Sequence, residues 1–333
     1  MKKTIILGIE TSCDETSVAI VKNGKQILSN IISSQMDIHQ QYGGIVPEIA
    51  SRKHMEFILV TCQEALQKSD VTLQEIDGVA VCYGPGLKGS LLVGLSFGKA
   101  VAFALAKPLI GINHIEGHIY ANFLDNQKIE TPFISCVVSG GHTSLILVKE
   151  IGQYQLIGKT RDDAAGEILD KVAKHLGLGY PGGPIIEELA KTGKGDAIYF
   201  PRPLLNSNDF DFSFSGLKTA VLYFLGKKNE RNESININDL CASLQQAIID
   251  IIRHKTLSCA LKYNISNIVL GGGVAANESL RKTLREAAKK VGISVYYPPK
   301  ELCTDNAAMI ACAGYYKYKR EITDSFDLEV LIE

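Results

Sequence analysis

Apolar residues along this chain fall into two rhythms. Unbroken apolar runs at 4–9, 17–21, 78–83, 109–112, 133–138, 144–148 and 268–270, bounded by glycine or polar clusters, predict short buried strands. Longer stretches at 51–68, 90–106, 164–176, 239–262, from 277, and 306–319 predict helices. Ile168, Leu169, Val172 and Leu176 lie at core spacing, and Gly177 is placed to end that helix. Gly94 and Gly98 share one face of the 90–106 helix, which predicts close packing. Tyr180-Pro181-Gly182-Gly183-Pro184 reads as a stiff turn with Pro184 at the first position of the next helix, and 226–238 as an exposed polar loop.

A strand, polar loop, strand unit at 4–21 recurs at 133–148, which predicts two lobes of related architecture. Alternation of strands with helices elsewhere predicts α/β lobes with mixed sheets. With 333 residues the chain exceeds what one hydrophobic core commonly supports. The division expected is an N-terminal lobe over 1–112, with the helical segment 304–325 packing back onto it, and a C-terminal lobe over 113–303.

Composition narrows the class. Apolar residues at 46% and charged residues at 21% are ordinary for a folded chain. The apolar start is interrupted by Glu10 and Asp14, unlike an export signal, and the run 91–105 contains Lys99 and falls short of a membrane span. Eight cysteines scattered singly, without CxxC spacing, predict reduced thiols, no disulfide, no zinc site and a cytoplasmic protein. A net charge of −1 gives no overall sign of a nucleic-acid binder. RNA contact would need a local patch, for which the basic residues at 227–231 and 281–290 are candidates.

The chemistry-bearing residues come in a few clusters. His114-Ile115-Glu116-Gly117-His118 sits where a strand gives way to a helix, and a spacing of four puts both imidazoles on one face. Such a pair suits a metal or a structural role equally. Ile115 occupies the place where a metalloprotease HExxH has its glutamate, which disfavours a peptidase. Asp305 would complete a set of two imidazoles and a carboxylate with positions open to substrate, although aspartate before a helix is also a common N-cap.

Val137-Val138-Ser139-Gly140-Gly141 forms a glycine turn whose amides could approach phosphate oxygens, or a plain hairpin. Gly271-Gly272-Gly273 leads toward Asn277 and a helix, where a base or ribose could lie against the backbone; the Walker lysine and the Rossmann glycine spacing are both absent. Asp170 could accept from ribose hydroxyls, and Gly183 could offer its amide at a helix start.

Taken together, GIETSCDETSVAIV, GPGLKGSLLVGLSFGKA, HIEGH, VVSGGHTSLI, GEILDKVAKHLGLGYPGGP, DFSFSGLKTAV, GGGVAANESLR and CTDNAAMIA closely resemble the tRNA N6-adenosine threonylcarbamoyltransferase family, in the same order from about residue 5 to 315. HIEGH and SGGHTSL resemble its bacterial branch. The resemblance implies a two-lobed fold of the actin-like ATPase, sugar kinase and Hsp70 type. It implies transfer of threonylcarbamoyl from threonylcarbamoyl-AMP to N6 of the adenosine following the anticodon, in tRNAs reading codons that begin with adenine.

By the same resemblance His114, His118 and Asp305 bind one divalent metal, iron or alternatively zinc, which sets aside the cap reading of Asp305. Val137, Val138, Ser139, Gly140, Gly141, Asp170, Gly183, Glu187 and Asn277 line the substrate site, Glu187 standing where many relatives have aspartate. No catalytic base is assigned, Asp14 and Glu15 in the first hairpin turn included. The implied partners are tRNA, an inactive paralogue of the same fold and a small ATPase, with no membrane. The competing readings are a metallopeptidase, which would need a glutamate base, and a non-catalytic nucleotide-sensing scaffold, which would not need three intact metal ligands.

Overall fold

The computed structural model describes residues 3–124 and 128–332. The chain divides into two compact units, Met1–Ile129 with Pro298–Glu333, and Glu130–Tyr297. The divisions drawn from sequence at 112 and 303 differ from these, because 113–129 and 298–303 belong to the first unit.

The first unit carries, in chain order, β1 (Ile5–Glu10), β2 (Glu15–Lys22), β3 (Gln26–Ser34), α1 (Met36–Gln40), α2 (Pro47–Ser69), β4 (Gly78–Gly84), α3 (Lys88–Leu105), β5 (Leu109–Asn113) and α4 (His114–Tyr120). The second unit follows with β6 (Phe133–Val138), β7 (Thr143–Glu150), β8 (Gln153–Lys159), α5 (Ala165–His175), α6 (Gly182–Ala190), α7 (Ser215–Glu230), α8 (Ile237–Lys262), β9 (Asn267–Gly271), α9 (Glu278–Lys289) and β10 (Ser294–Tyr296). The chain then returns to the first unit with α10 (Ala307–Lys319).

The two sheets have one topology. Their orders are β3-β2-β1-β4-β5 and β8-β7-β6-β9-β10. In each, the first three strands form an antiparallel meander and the last two run parallel to its first strand. This is the expected α/β fold with duplicated mixed sheets. Strands buried on both faces read as unbroken apolar runs, and β1 and β6 are buried at every position.

Because alternate residues of a strand face opposite ways, Gly8 and Ile9 of β1 look to different layers. On the Gly8 side α10 lies so close that a Cβ would come within 2.3 Å of the Ala307 carbonyl. On the other side Gly98 of α3 rests on Val81. Helix α3 is longer than the run read from sequence and is apolar enough, by length and composition alone, to cross a membrane. At the outer edge of β5, Leu109 O accepts from Asp324 N at 2.9 Å, while Gly111 gives its N–H to Asp324 Oδ2 at 2.7 Å and receives Lys317 Nζ on its carbonyl at 2.9 Å.

Two local expectations change. Helix α7 runs on through 226–230 instead of giving way to a loop: Lys227 Nζ covers the ring of Tyr223 one turn back at 4.3 Å, and Lys228 pairs with Glu233. Helix α6 begins at Gly182, so Pro184 takes its third position, where the missing N–H is still one the helix cannot use.

Candidate metal centre and nucleotide loop

Asn113 starts α4 directly at the end of β5, its Oδ1 accepting from the N–H groups of Ile115 and Glu116 at 2.9 and 3.3 Å. That cap places His114 in the first turn and His118 above it, with ring centroids 4.7 Å apart. Asn306 caps α10 by accepting from Met309 N at 3.1 Å, which leaves the preceding Asp305 without a capping task. Asp305 Oδ1 lies 3.4 Å from His114 Nε2 and 3.3 Å from His118 Nε2.

The electrostatics follow from this packing. Burial opposes charge on Asp305, but the His114 and His118 imidazoles outweigh it and hold the carboxyl well below the usual carboxylate range. Burial also opposes charge on His114, yet the Asp305 and Glu10 carboxylates raise its pKa well above the ordinary value. Burial lowers that of His118. Among the described residues neither ring nitrogen of His118 has a well-directed hydrogen bond, Nε2 meeting Asp305 Oδ1 at 3.3 Å, although the side chain is wholly buried. An unsatisfied buried polar group costs about 1–3 kcal/mol. Coordination to a cation would remove that cost, and the three convergent donors therefore fit a divalent ion.

Behind His114 lie three residues that the sequence reading did not assign. Glu10 Oε2 and Ser12 Oγ stand 3.0 and 3.1 Å from Nδ1, and Cys82 completes a second group of potential ligands with Glu10 and His114. The Cys82 thiol is pushed up to about 12 by burial and by Glu10. The one local signal was a carboxylate closing a wholly apolar strand. Glu116 pairs with Lys317 Nζ at 3.1 Å.

In the second unit the loop after β6 turns tightly, Ser139 N donating to His142 O at 2.7 Å and Ser139 Oγ accepting from His142 N at 3.1 Å. Val137 and Val138 are buried in the strand, whereas Gly140 and Gly141 are exposed with open space beside them. Helix α5 begins beneath this loop, where a Cβ on Gly166 would lie 2.8 Å from the Gly140 Cα. Gly271 and Gly272, at the end of the parallel strand β9, border it too. The ends of parallel strands with helix starts beside them are where α/β sheets commonly bind ligands.

The remaining predicted contacts also have structural tasks. Asp170 accepts the Gly182 N–H at 2.7 Å, holding the start of α6 beside Gly183, and Glu187 accepts the Glu278 N–H at 2.8 Å. Asn277 caps α9 by accepting from Leu280 N at 2.9 Å and donates to Gln245 at 2.8 Å.

A family profile described as tRNA N6-adenosine threonylcarbamoyltransferase matches residues 26–312. The chain belongs to this family. A protein of that name from Clostridioides difficile (strain 630) is 51% identical over 331 residues, covering 99% of this chain and 98% of the relative. Another from Clostridium perfringens (strain SM101 / Type A) is 53% identical over 317 residues, covering 95% and 94%. This threonylcarbamoyltransferase family member is thus a transferase that modifies tRNA.

Solved structures support the fold alone. Full-length HypF, in a phosphate- and nucleotide-bound form, aligns at TM-score 0.62 and 13% identity over 96% of this chain and 47% of its own. Component A of the Acidaminococcus fermentans (R)-2-hydroxyglutaryl-CoA dehydratase aligns at TM-score 0.55 and 16% identity over 95% and 99%. The threonylcarbamoyltransferase chain accordingly has the actin-like ATPase fold.

Proposed function

We infer that the chain transfers threonylcarbamoyl from threonylcarbamoyl-AMP to N6 of the adenosine 3′ to the anticodon, in tRNAs reading codons that begin with adenine, and releases AMP. The observation that carries this reading is the convergence of His114, His118 and Asp305, with both rings buried. A divalent ion held by these three, iron by preference or zinc, would supply Lewis-acid polarisation of the donor carbonyl.

The adenine amine is a weak nucleophile, so the remaining task is to hold donor and acceptor in register. The exposed Gly140 and Gly141 amides and the start of α6 at Gly183 suit the phosphate of the adenylate. Val137, Val138 and Ser139 fix that loop, and Asp170, Glu187 and Asn277 are assigned to the ribose and base. No side chain is assigned as a general base. The chain is assigned to the cytoplasm, away from membranes, working with an inactive paralogue of the same fold and a small ATPase.

The test is incubation of the purified chain, with and without those bacterial partners, with threonylcarbamoyl-AMP and unmodified tRNA, followed by nucleoside mass spectrometry. Threonylcarbamoyladenosine that depends on His114 and His118 is the expected result. Its absence with partners and added iron present would overturn the reading.

A further inference from the structure

Glu10 has no exposed surface and ends a strand otherwise built of apolar residues and glycine. A buried carboxylate is tolerated where it is hydrogen-bonded and paired. Here Oε1 accepts the Ser12 N–H at 2.5 Å, which aims Oε2 at His114 Nδ1, 3.0 Å away.

We propose that Glu10 is a positioning residue that fixes His114 as an Nδ1–H donor, so that Nε2 presents its lone pair beside His118 and Asp305 as a metal ligand. With Oε1 held by Ser12 and Oε2 within hydrogen-bond distance of Nδ1, the ring is oriented so that Nε2 is the nitrogen turned toward His118 and Asp305. Ser12 Oγ, 3.1 Å from the same nitrogen, adds a second oxygen on that side. On the far side Nε2 faces Asp305 Oδ1 at 3.4 Å. A carboxylate on the distal nitrogen also sets the ring plane and makes the ligating nitrogen more basic.

This inference rests on the reading of His114, His118 and Asp305 as metal ligands. A competing arrangement would use Nδ1 itself with Glu10 and Cys82, and the test separates the two.

The full chain, stripped of metal, is titrated with Zn2+ against a competing chelator as the parent and as Glu10→Ala, Glu10→Gln, Cys82→Ser and His118→Ala. Glu10→Ala is expected to weaken Zn2+ binding about 10- to 100-fold. Glu10→Gln keeps the volume and a carbonyl acceptor and should lose less. Cys82→Ser should bind as the parent does, and His118→Ala should lose the site.

Nitrogen-15 shifts of the Zn2+-loaded parent should show a proton on His114 Nδ1 and the metal on Nε2. Metal on Nδ1, loss of affinity in Cys82→Ser, or a folded Glu10→Ala within about threefold of the parent would overturn the proposal. Should the Glu10 variants fail to fold, the parent's nitrogen shifts decide. A parent that binds no Zn2+ sinks the metal reading itself, and a parent that binds it indifferently to Glu10 sinks this inference alone.

Discussion

Gly272 and Val138 stand so close that a Cβ on Gly272 would lie 2.3 Å from the Val138 carbonyl oxygen. Gly272 also has φ of +90°, a backbone conformation that side chains other than glycine rarely adopt. Strain and contact act together in Gly272→Ala, which should cost at least about 1–3 kcal/mol in urea unfolding and displace the loop that Val138 leads into. Weaker AMP binding in calorimetry should accompany it. A loss below about 0.5 kcal/mol would mean that the loop yields freely.

The two histidines of the metal centre should respond differently to removal. His114→Ala strands the buried Glu10 carboxylate without its ring partner, whereas His118→Ala removes a ring that meets Asp305 at 3.3 Å and leaves the Glu10 pair intact. Both should abolish Zn2+ binding and transfer, but in metal-free thermal unfolding His114→Ala should be the less stable, by roughly 1–3 kcal/mol. Equal melting would show that Glu10 draws nothing from the ring.

Asn277 joins a structural and a ligand-facing assignment. As the N-cap of α9 it makes Asn277→Ala cost about 1 kcal/mol, a loss that Asn277→Asp should largely restore because aspartate caps as well. Adenylate affinity, measured separately from Zn2+ affinity, should fall in Asn277→Ala while Zn2+ binding stays. Parallel loss of both would remove Asn277 from the nucleotide site.

His54 gives the fold a pH dependence. It is buried between Thr16 Oγ1 at 2.7 Å and the Cys13 carbonyl at 2.9 Å, an arrangement that suits a neutral ring donating from Nε2. Burial lowers its pKa below the ordinary value. The unfolded chain, with a histidine pKa of about 6.5, then binds more protons than the native state below that pH. The contribution of His54 is therefore complete above about pH 6.5 and lost as pH falls beneath it, by at most ~1.4 kcal/mol per pH unit. Metal-free urea unfolding at several pH values should show His54→Asn converging on the parent as pH drops. A constant gap between the two would contradict this.

Strands such as β1 and β6 are plain in the sequence because burial on both faces demands unbroken apolar runs. Strands β3 and β8 are not, since partial exposure lets serine, asparagine, glutamine and lysine alternate through them without a clean period. Asp305 shows the limit of local reading: an aspartate before a helix suits a cap, and only the placement of Asn306 in that role, with the histidine pair alongside, resolves it. Glu10 was illegible as a neighbour of His114 because 104 residues separate them and only the pairing of β1 with β4, and of β4 with β5, closes that distance.

The contacts that Asp324 and Lys317 make along β5 matter beyond their own strength. β5 is the last strand of its sheet, and an open strand edge is a template on which another polypeptide can add. Here the Leu109 carbonyl and both backbone groups of Gly111 are already engaged by Asp324 and Lys317 from farther along the chain. Asp324 and Lys317 thus act as a selvedge, finishing the sheet from within at these two positions.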